Sequence, residues 1–372
     1  MELRYGINPG QAATAEPVVA GDWPVRVVNG EPSYINVLDA LNGWQLVREA
    51  SLGLGRVAAA SFNHVSPAGA AVAGDLDEVA AGLYGVRGGG VGELTSAYLR
   101  ARDADPKSSY GDFVAVSRPV DLELAEVLGG LVSDGIVAPG FEAGTVERLS
   151  RKKNGRFLVM EADQDFVPPR EEMREVYGVR LTQERPEEAV GPAVAGEDLR
   201  LGMVVARYTQ SNSVCYVRDG MTIGIGAGQQ SRVDCTRLAG AKADIWWLRR
   251  HPKVSGLTFR DEVRRQERIN WQVRWCEGDL TAYERERFDQ ALAEPAQELT
   301  SAERAEWIVR LDGVAFVSDG ALPFRDNVDH AQRHGVRSIA EPGGSIRSDE
   351  VAKACSEYGI TLTRTGVRLF HH

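Results

Sequence analysis

Hydrophobic and polar residues follow two spacings along this chain, and the spacings together predict alternating helices and strands. Residues 34–47 carry apolar side chains three and four positions apart, which is the spacing of an amphipathic helix. Apolar runs at 56–62, 112–117 and 314–318 are typical of strands buried on both faces of a sheet. Because strands and helices alternate in both halves of the chain, the pattern predicts a layered α/β protein.

The same spacings place further elements along the chain. We predict helices at 75–85, 92–104, 122–132, 233–248, 327–334 and 350–358. We predict strands at 25–28, 135–139, 202–208, 336–340 and 360–363, and a hairpin formed by 213–217 and 221–225. Residues 65–69 contain serine, proline and glycine, so we interpret them as a turn.

A charged stretch with several prolines, residues 166–200, interrupts the alternation. It contains Pro168-Pro169, Pro186-Glu187-Glu188 and Gly191-Pro192, which are typical of a connection between domains. We interpret it as a linker between a first unit, residues 1–165, and a second unit, residues 201–372. The charged region near 258–312 predicts a helical insertion in the second unit. A length of 372 residues fits two such units.

Charge and cysteine content narrow the classes of function. With 43 Lys and Arg against 53 Asp and Glu, the net charge of −10 argues against nucleic-acid and membrane partners. No apolar run is long enough to span a bilayer, and the first residues lack the apolar core of a signal peptide. The four cysteines form no CxxC pair, which disfavours a zinc enzyme. Reduced thiols then predict a cytoplasmic protein.

Polar residues follow several predicted strands, where α/β proteins usually bind ligands. Asn63 and His64 end the strand at 56–62, and His64 is a candidate general base. The alternative is a histidine that caps the strand end by hydrogen bonding. A polar stretch at 208–213 and a Gly-Xaa-Gly-Xaa-Gly run at 224–228 precede a predicted helix, which indicates an anion site or merely a tight exit from a hairpin.

Two later loops and the C-terminal tail are further candidates. Asp326 follows a strand end and is either a site carboxylate or the N-cap of the next helix. Ser345 lies in a loop of small residues where a ligand can approach the backbone. The tail ends in His371-His372, which the composition alone does not distinguish from the remnant of a purification tag.

Taken together, these motifs resemble one family. The matching stretches begin with Arg4-Tyr5-Gly6 and lie at 4–6, 8–9, 34–42, 109–113, 133–135, 208–216, 224–240, 323–326 and 368–372. They are similar to the transformylase half of the bifunctional purine-biosynthesis enzymes, the AICAR formyltransferase/IMP cyclohydrolase family. That half formylates AICAR (5-aminoimidazole-4-carboxamide ribonucleotide), and the other half cyclises the product to IMP. This sequence shows no counterpart of the cyclohydrolase half, so we expect a stand-alone transformylase with a native histidine tail.

The resemblance implies a fold, ligands and an assembly. The fold is two cytidine-deaminase-like three-layer units in one chain, without the deaminase zinc. The substrates are a nucleotide and 10-formyltetrahydrofolate, and the protein is a homodimer with its active sites at the subunit interface. The implied nucleotide-binding residues are Arg4, Tyr5, Asn36, Gly111, Asp134, Arg368 and Phe370. The implied folate-side residues are Arg232, Val233, Ala321, Pro323, Phe324 and Ser345.

The resemblance also assigns the chemistry. His64 is the base and Asn212 orients the carboxamide, while Asn63, Asp326 and His372 complete the catalytic set. A structural potassium site is implied at Thr209, Ser211, Ser213, Asp319, Leu369 and His371. The amine of AICAR is a weak nucleophile because its lone pair is delocalised, so a base and donors for the developing oxyanion are needed.

One departure from the family pattern matters most. The family has lysine before the catalytic histidine, whereas this chain has Asn63, which supplies no charge and no transferable proton. Ala321 replaces an aromatic residue and Gly10 a histidine. Three interpretations stay open: a slow AICAR formyltransferase in which Lys107 or a water replaces the lysine; a paralogue acting on a different amino-carboxamide nucleotide in nucleoside-antibiotic synthesis, such as a pyrazole analogue; or a catalytically weak nucleotide- or folate-binding protein.

Overall fold

A computed structural model describes residues 1–86, 90–186 and 194–372, and a mixed β-sheet of eleven strands lies at the centre of the part it describes. The strands are β1 Glu2–Leu3, β2 Ala13–Thr14, β3 Val25–Asn29, β4 Ala58–Asn63, β5 Ser66–Val72, β6 Asp112–Val116, β7 Ser133–Ala138, β8 Leu158–Ala162, β9 Glu171–Val176, β10 Val179–Glu184, β11 Val214–Arg218, β12 Met221–Gly226, β13 Val314–Ser318, β14 Val336–Glu341 and β15 Thr361–Arg364. The order in the central sheet is β15-β14-β13-β11-β12-β5-β4-β6-β7-β8-β3.

The two halves of the central sheet repeat one arrangement. In the first half, the antiparallel hairpin β4–β5 is followed outward by the mutually parallel strands β6, β7 and β8. In the second half, the hairpin β11–β12 is followed outward by the mutually parallel strands β13, β14 and β15. The halves join where Met221 of β12 pairs with Ala71 of β5. The sequence shows no fixed-period repeat, so this repeat is visible only in the strand pairing.

Helices cover both faces of the sheet. They are α1 Tyr34–Leu54, α2 Glu78–Tyr84, α3 Glu93–Ala104, α4 Leu122–Gly129, α5 Thr145–Ser150, α6 Glu197–Arg207, α7 Arg232–Leu248, α8 Pro252–Ser255, α9 Arg265–Glu277, α10 Ala282–Ala291, α11 Ser301–Ile308, α12 Asp326–Ala331 and α13 Ser348–Glu357. Alternate residues of β4 face opposite layers: Ala58 packs in one core cluster with Trp44 of α1, and Ala59 packs in another with Leu99 of α3. This burial on both faces explains why the strands are nearly continuous apolar runs.

The predicted strand at 202–208 is wrong, because residues 202–207 belong to helix α6 and Tyr208 caps its C-terminus. Its buried side chains include Leu201, Val204 and Val205, which pack on the same side of the sheet as α1. A short apolar run rich in valine fits both a buried strand and a buried helix. Packing against the sheet decides for the helix here.

The predicted turn at 65–69 is also wrong, because β5 begins at Ser66 and the chain reverses at His64 and Val65. Pro67 lies within β5 opposite Phe62, where the register of β4 and β5 shifts by a bulge. A proline lacks the N–H that a regular ladder needs, so a bulge is where a strand tolerates it. The proline and glycine of this stretch therefore mark an irregular strand.

The stretch 166–200 contains regular structure that the sequence analysis does not predict. β9 and β10 form a separate antiparallel hairpin, and Tyr177 and Gly178, both with positive φ, form its turn. Pro186 is followed by residues 187–193, which include Gly191-Pro192 and lie outside the described residues. The division of the chain into units 1–165 and 201–372 stays a prediction.

The described residues contain neither a membrane-spanning helix nor a cluster of metal ligands. No helix in 1–86, 90–186 or 194–372 is long and apolar enough to cross a membrane. In the same ranges, no group of three or more His, Cys, Asp or Glu side chains is arranged to hold a metal ion. The four cysteines are buried and carry free thiols.

Candidate functional site

A cleft of about 720 Å³ opens at the end of β4 in the first half of the chain. Its walls come from the N-terminal segment, the start of α1, the β4–β5 turn and the loops before β6 and β7. Six residues predicted from the sequence line it: Tyr5, Asn36, Asn63, His64, Gly111 and Asp134. The structure therefore brings together residues that are up to 129 positions apart, as Tyr5 and Asp134 are.

The β4–β5 turn presents His64 to the cleft. His64 and Val65 have φ angles of 53° and 63°, and Asn63 pairs with Ser66 across the turn. Two consecutive left-handed residues are the geometry of a type I′ hairpin, which usually takes Asn-Gly. The imidazole of His64 is exposed and makes no hydrogen bond with any residue that the structure describes. The strand-capping alternative therefore has no hydrogen bond to support it.

The amide of Asn63 is tied to a neighbouring loop. Its Nδ2 donates to the carbonyl oxygen of Ser108 at 2.9 Å. Ser108 in turn donates its N–H and hydroxyl to Asp105, and the Asp105 carboxylate lies 2.9 Å from Nζ of Lys242. Lys107, suggested above as a substitute cation, instead pairs with Glu277 and does not line the cleft.

Two charged residues of the cleft were missed by the sequence analysis. Asp39 is 5% exposed and lies three positions after Asn36 on α1, so the helical spacing places both on one face. The pKa of Asp39 is raised to about 7, mainly because the carboxyl is buried; the hydrogen bond from the Val65 N–H lowers it, and the nearby Asp134 carboxylate raises it. Lys153 forms an ion pair with Asp134 and supplies a cation to the cleft.

Asn36 has a local role as well as a place in the cleft. It is the third residue of α1, where its Oδ1 accepts the N–H of Ser33 at 3.0 Å and the Ser33 hydroxyl at 2.8 Å. The Ser33 hydroxyl also accepts the N–H of Asn36, which completes a capping box. The start of α1, and with it Asp39, is therefore fixed relative to the cleft.

A second group of predicted residues surrounds the buried guanidinium of Arg232, and we call it the Arg232 cluster: Arg232, Asn212, Ser211, Ser213 and Asp319. Arg232 pairs with the Asp319 carboxylate and donates to Asn212 Oδ1 at 2.7 Å. Asp319 also accepts the Ser211 hydroxyl at 2.5 Å and the Ser213 N–H at 2.9 Å. Asn212 Nδ2 donates to the carbonyl of Gln229 at 2.7 Å, so its amide has one fixed orientation.

The C-terminal tail packs onto the Arg232 cluster. Leu369 donates its N–H to the Asp319 carbonyl at 2.9 Å. The His371 carbonyl accepts the Ser211 N–H at 2.9 Å, and the His371 N–H donates to the Ser211 hydroxyl at 3.0 Å. A Cβ at position 320 would lie 2.5 Å from Nη2 of Arg232 and 2.6 Å from the ring of Phe370, so only glycine fits between them. Burial lowers the pKa of His371. The structure thus brings five of the predicted cation-site residues together through Asp319 and Ser211, while the Thr209 hydroxyl donates to Val205.

The predicted folate-side loops are more open. Phe324 is 49% exposed, and the guanidinium of Arg347 lies 5.2 Å from its ring centre. Asp326 is the first residue of α12 and accepts the side-chain N–H of Asn327 at 2.8 Å, so the N-cap alternative for it is wrong. Ser345 Oγ accepts the N–H of Arg347 at 3.2 Å.

The remaining predicted residues lie nearby in these elements. Val233 follows Arg232 on α7, Ala321 and Pro323 are half-buried before Phe324, and the ring of His372 lies 5.9 Å from that of Phe370. At the N-terminus, the guanidinium of Arg4 lies 4.8 Å above the Tyr5 ring. Arg368 lies 4.9 Å from the Phe370 ring in the same manner. Both arginines are exposed and available to an anionic ligand.

The glycine run at 224–228 serves packing. A Cβ at Gly224 would lie 2.2 Å from the carbonyl oxygen of Ala239, and one at Gly226 would lie 2.6 Å from that of Cys235. These glycines let α7 lie directly on β12, so the close approach is between two parts of the protein. The structure favours the tight hairpin exit over the anion site for this motif.

These features define a mixed α/β protein with a polar cleft at a strand end and a second polar cluster held by its own tail. Comparison with known proteins identifies the family: the family model for the AICARFT/IMPCHase bienzyme matches residues 1–242. This chain belongs to that family. It is 31% identical to the bifunctional purine biosynthesis protein PurH of Roseobacter denitrificans, and 29% identical to those of Magnetococcus marinus and Clostridium botulinum. The alignments cover 100% of this chain and 59% of each relative.

Proposed function

We propose that this chain transfers a formyl group from 10-formyltetrahydrofolate to the 5-amino group of AICAR or of a close amino-carboxamide ribonucleotide. The observation that carries the proposal is His64, an exposed imidazole that a left-handed turn presents to a polar cleft in a member of this family. The product is the formamido nucleotide, and the other product is tetrahydrofolate. The chain spans 59% of the length of the curated relatives that it matches.

The proposed transfer uses His64 as the base. The amine nitrogen forms a bond to the formyl carbon, and the bond from that carbon to N10 of the folate breaks. The amine proton passes to the imidazole, and the imidazolium returns it, directly or through a water, to N10 as the folate leaves. Asn212 orients the carboxamide of the nucleotide, and its fixed hydrogen bonds to Arg232 and Gln229 support that role.

The nucleotide and folate occupy different parts of the proposed site. Tyr5, Asn36, Gly111 and Asp134 line the cleft that would hold the nucleoside. The exposed cations Arg4 and Arg368 would bind its phosphate, which is the task of arginine in a protein of net negative charge. Phe370 would contact the base. The exposed ring of Phe324 offers an aromatic face to the flat pterin ring. The other proposed folate-side residues are Arg232, Val233, Ala321, Pro323, Ser345 and Asp326.

A homodimer with the active site at the subunit interface is part of the proposal. The residues implied for one site form two groups in this chain, the cleft and the Arg232 cluster, and pairing of two chains would let one chain's cleft face the other's cluster. The hairpin β9–β10 supports the assembly because it stands apart from the central sheet. Met173, Val179 and Leu181 on it are each more than half exposed.

Three further expectations stay proposals. The hydroxyls of Thr209, Ser211 and Ser213, with Asp319 and the backbone of Leu369 and His371, suit a hard monovalent cation such as potassium in a structural role. The repeated arrangement of a hairpin and three parallel strands supports two cytidine-deaminase-like units. The cytoplasmic location follows from the reduced thiols and the reaction class.

Asn63 favours a second candidate, a paralogue that formylates a different amino-carboxamide nucleotide. Its amide is held by Ser108, and Lys107 pairs with Glu277, so within the described residues Lys107 does not replace the family's lysine. Lys153 is the cation that lines the cleft, but it is already paired with Asp134. A more nucleophilic amine than that of AICAR would need less help from a proton donor.

A turnover assay with AICAR and 10-formyltetrahydrofolate tests the proposal. We expect measurable formylation by the parent chain, a loss of about 10²- to 10⁴-fold in His64→Ala, and a gain in Asn63→Lys. Lys107→Met is the matched control and should be unchanged. Turnover only in Asn63→Lys would favour the paralogue. Saturable folate binding without turnover by either chain on any amino-carboxamide nucleotide would refute the enzyme and favour a binding protein.

A further inference from the structure

Asp39 is a buried carboxyl that the proposed mechanism does not use. It lies on α1, lines the cleft and is 5% exposed. The capping box of Ser33 and Asn36 fixes the helix turn on which it stands. A buried carboxyl group that lines a cleft is a candidate for contact with a ligand or with a neighbouring functional group of the protein.

The neighbouring group is the turn that carries His64. Asp39 Oδ1 accepts the N–H of Val65 at 2.7 Å, and Val65 is the residue directly after His64. Asp39 lies 26 positions before Val65, so this bond ties α1 to the β4–β5 hairpin. In the described ranges, no other residue donates a hydrogen bond to Asp39, so its second oxygen is not committed to the protein.

This turn needs such support. His64 and Val65 both have positive φ, which is uncommon for a side chain of any kind and an outlier for a β-branched residue. Type I′ turns usually carry asparagine, aspartate or glycine, residues that adopt the left-handed region without help. The equivalent turn of the second half, Asp219-Gly220 between β11 and β12, has such residues. The His64-Val65 turn lacks them. In both turns a carboxylate from a helix accepts backbone N–H groups: Asp39 accepts that of Val65, and Asp198 of α6 accepts those of Asp219 and Gly220 at 3.0 and 2.6 Å.

The pKa of the Asp39 carboxyl is set by opposing influences. Burial and the Asp134 carboxylate both raise the pKa of Asp39, while the hydrogen bond from Val65 lowers it. Asp134 is itself paired with Lys153 on the wall of the cleft. The Val65 hydrogen bond is thus the contact that favours an ionised Asp39 in this setting.

We propose that Asp39 is a positioning residue for His64: by accepting the Val65 N–H, it holds the left-handed turn and so fixes the place of the imidazole in the cleft. The catalytic part of this inference rests on the proposed formyl transfer. A base displaced by about 1 Å from its reacting proton can lose on the order of 100-fold in rate. Without the Asp39 bond, the turn is free to adopt other conformations.

A double-mutant cycle with His64 tests the catalytic part. We expect Asp39→Ala to lower kcat by about 100-fold with a smaller effect on KM, and Asp39→Asn to retain kcat within about fivefold because the amide oxygen can accept the same N–H. In the His64→Ala background, Asp39→Ala should cost less than about twofold. An equal loss with and without His64 would show that Asp39 acts on the ligand or the fold, and would overturn the inference.

Amide hydrogen exchange tests the structural part without turnover. Asp39→Ala should speed exchange of the Val65 N–H by at least about tenfold, whereas Asp39→Asn should preserve its protection. The internal control is the N–H of Val72 at the far end of β5, which donates to the Gly220 carbonyl at 2.9 Å and does not contact Asp39. Unchanged Val65 exchange in Asp39→Ala would refute the inference even if the chain formylates AICAR. If Asp39→Ala does not fold, Asp39→Ser gives the same test because its hydroxyl is too short to reach Val65.

Discussion

The His64 cleft and the Arg232 cluster are built from similar polar residues, but they use their hydrogen bonds differently. In the cluster, Asp319 is fully buried and both of its carboxylate oxygens have partners in Arg232, Ser211 and Ser213. In the cleft, the His64 imidazole is exposed and Asp39 has one hydrogen bond. Buried polar groups that satisfy one another stabilise a structure, whereas accessible groups without protein partners remain available to a ligand. The cluster therefore holds the tail in place and keeps Asn212 and Arg232 in fixed positions, whereas the cleft keeps groups without protein partners for a ligand.

The largest expected difference between the two regions is in stability. Asp319→Asn would leave the Arg232 guanidinium buried without its countercharge, so we expect the free energy of unfolding to fall by about 3 kcal/mol. The matched control is Asp312→Asn, whose partner Arg337 is 61% exposed, and it should cost less than about 1 kcal/mol. Urea unfolding of the two variants measures both values. Equal losses would contradict the contrast between a buried and an exposed pair.

Burial of Asp39 in the cleft should make the stability of the chain depend on pH. The pKa of Asp39 is about 7 in the folded chain, against 3.8 when the side chain is unperturbed, so the folded state binds more protons between these values. The free energy of unfolding contributed by Asp39 therefore falls as pH rises from about 4 to 7. Asp39→Asn removes this loss, and its stability relative to the parent should be higher at pH 8 than at pH 5 by on the order of 2 kcal/mol.

Chemical denaturation at both pH values provides the measurement. Asp312→Asn is again the control, because the hydrogen bond from Arg337 lowers the pKa of Asp312 and the group stays ionised across this range. Its stability relative to the parent should not change between pH 5 and pH 8. A pH-independent effect of Asp39→Asn would show that Asp39 is already ionised in the folded chain at pH 5.

The smallest effect concerns the two equivalent hairpin turns. Val65→Gly removes the strain of a β-branched residue at φ 63°. Glycine also makes the unfolded chain more flexible, which offsets part of this gain, so we expect a net increase of about 0.5 to 1 kcal/mol in the free energy of unfolding. Asp219→Gly, at φ 52° in the second turn, should change stability by less than about 0.5 kcal/mol because aspartate tolerates this region. Thermal unfolding distinguishes them, and a destabilised Val65→Gly would show that the valine side chain packs favourably there.

Much of the fold could be predicted from the sequence because its signals are local. The helical spacing at 34–47 and the apolar runs of β4, β6 and β13 gave elements that the structure confirms. Helix α6 and the hairpin β9–β10 were not predicted. A valine-rich run is ambiguous by itself, and an exposed hairpin has no buried face to impose an alternating pattern.

The candidate site divides in the same way. His64, Asn36 and Asp134 could be found from strand ends and from the resemblance to the family, and the structure places all three on one cleft. Asp39 and Lys153 could not, because a carboxylate on a helix and a lysine in a basic stretch are usually solvated. Only the burial of Asp39 and the pairing of Lys153 with Asp134 distinguish them from surface charges.

The two hairpin turns show most clearly what the sequence by itself determined and what the tertiary structure decided. Asp219-Gly220 is a turn in the sequence and in the structure, because these residue types favour positive φ, and Asp198 of α6 also accepts both of their N–H groups. His64-Val65 carries no such signal, and the proline and glycine nearby predicted a turn at 65–69 instead. Its conformation depends on Asp39, which a different element brings to within 2.7 Å of the Val65 nitrogen. A contact between distant residues leaves no local pattern, so only the folded chain decides where the imidazole of His64 stands.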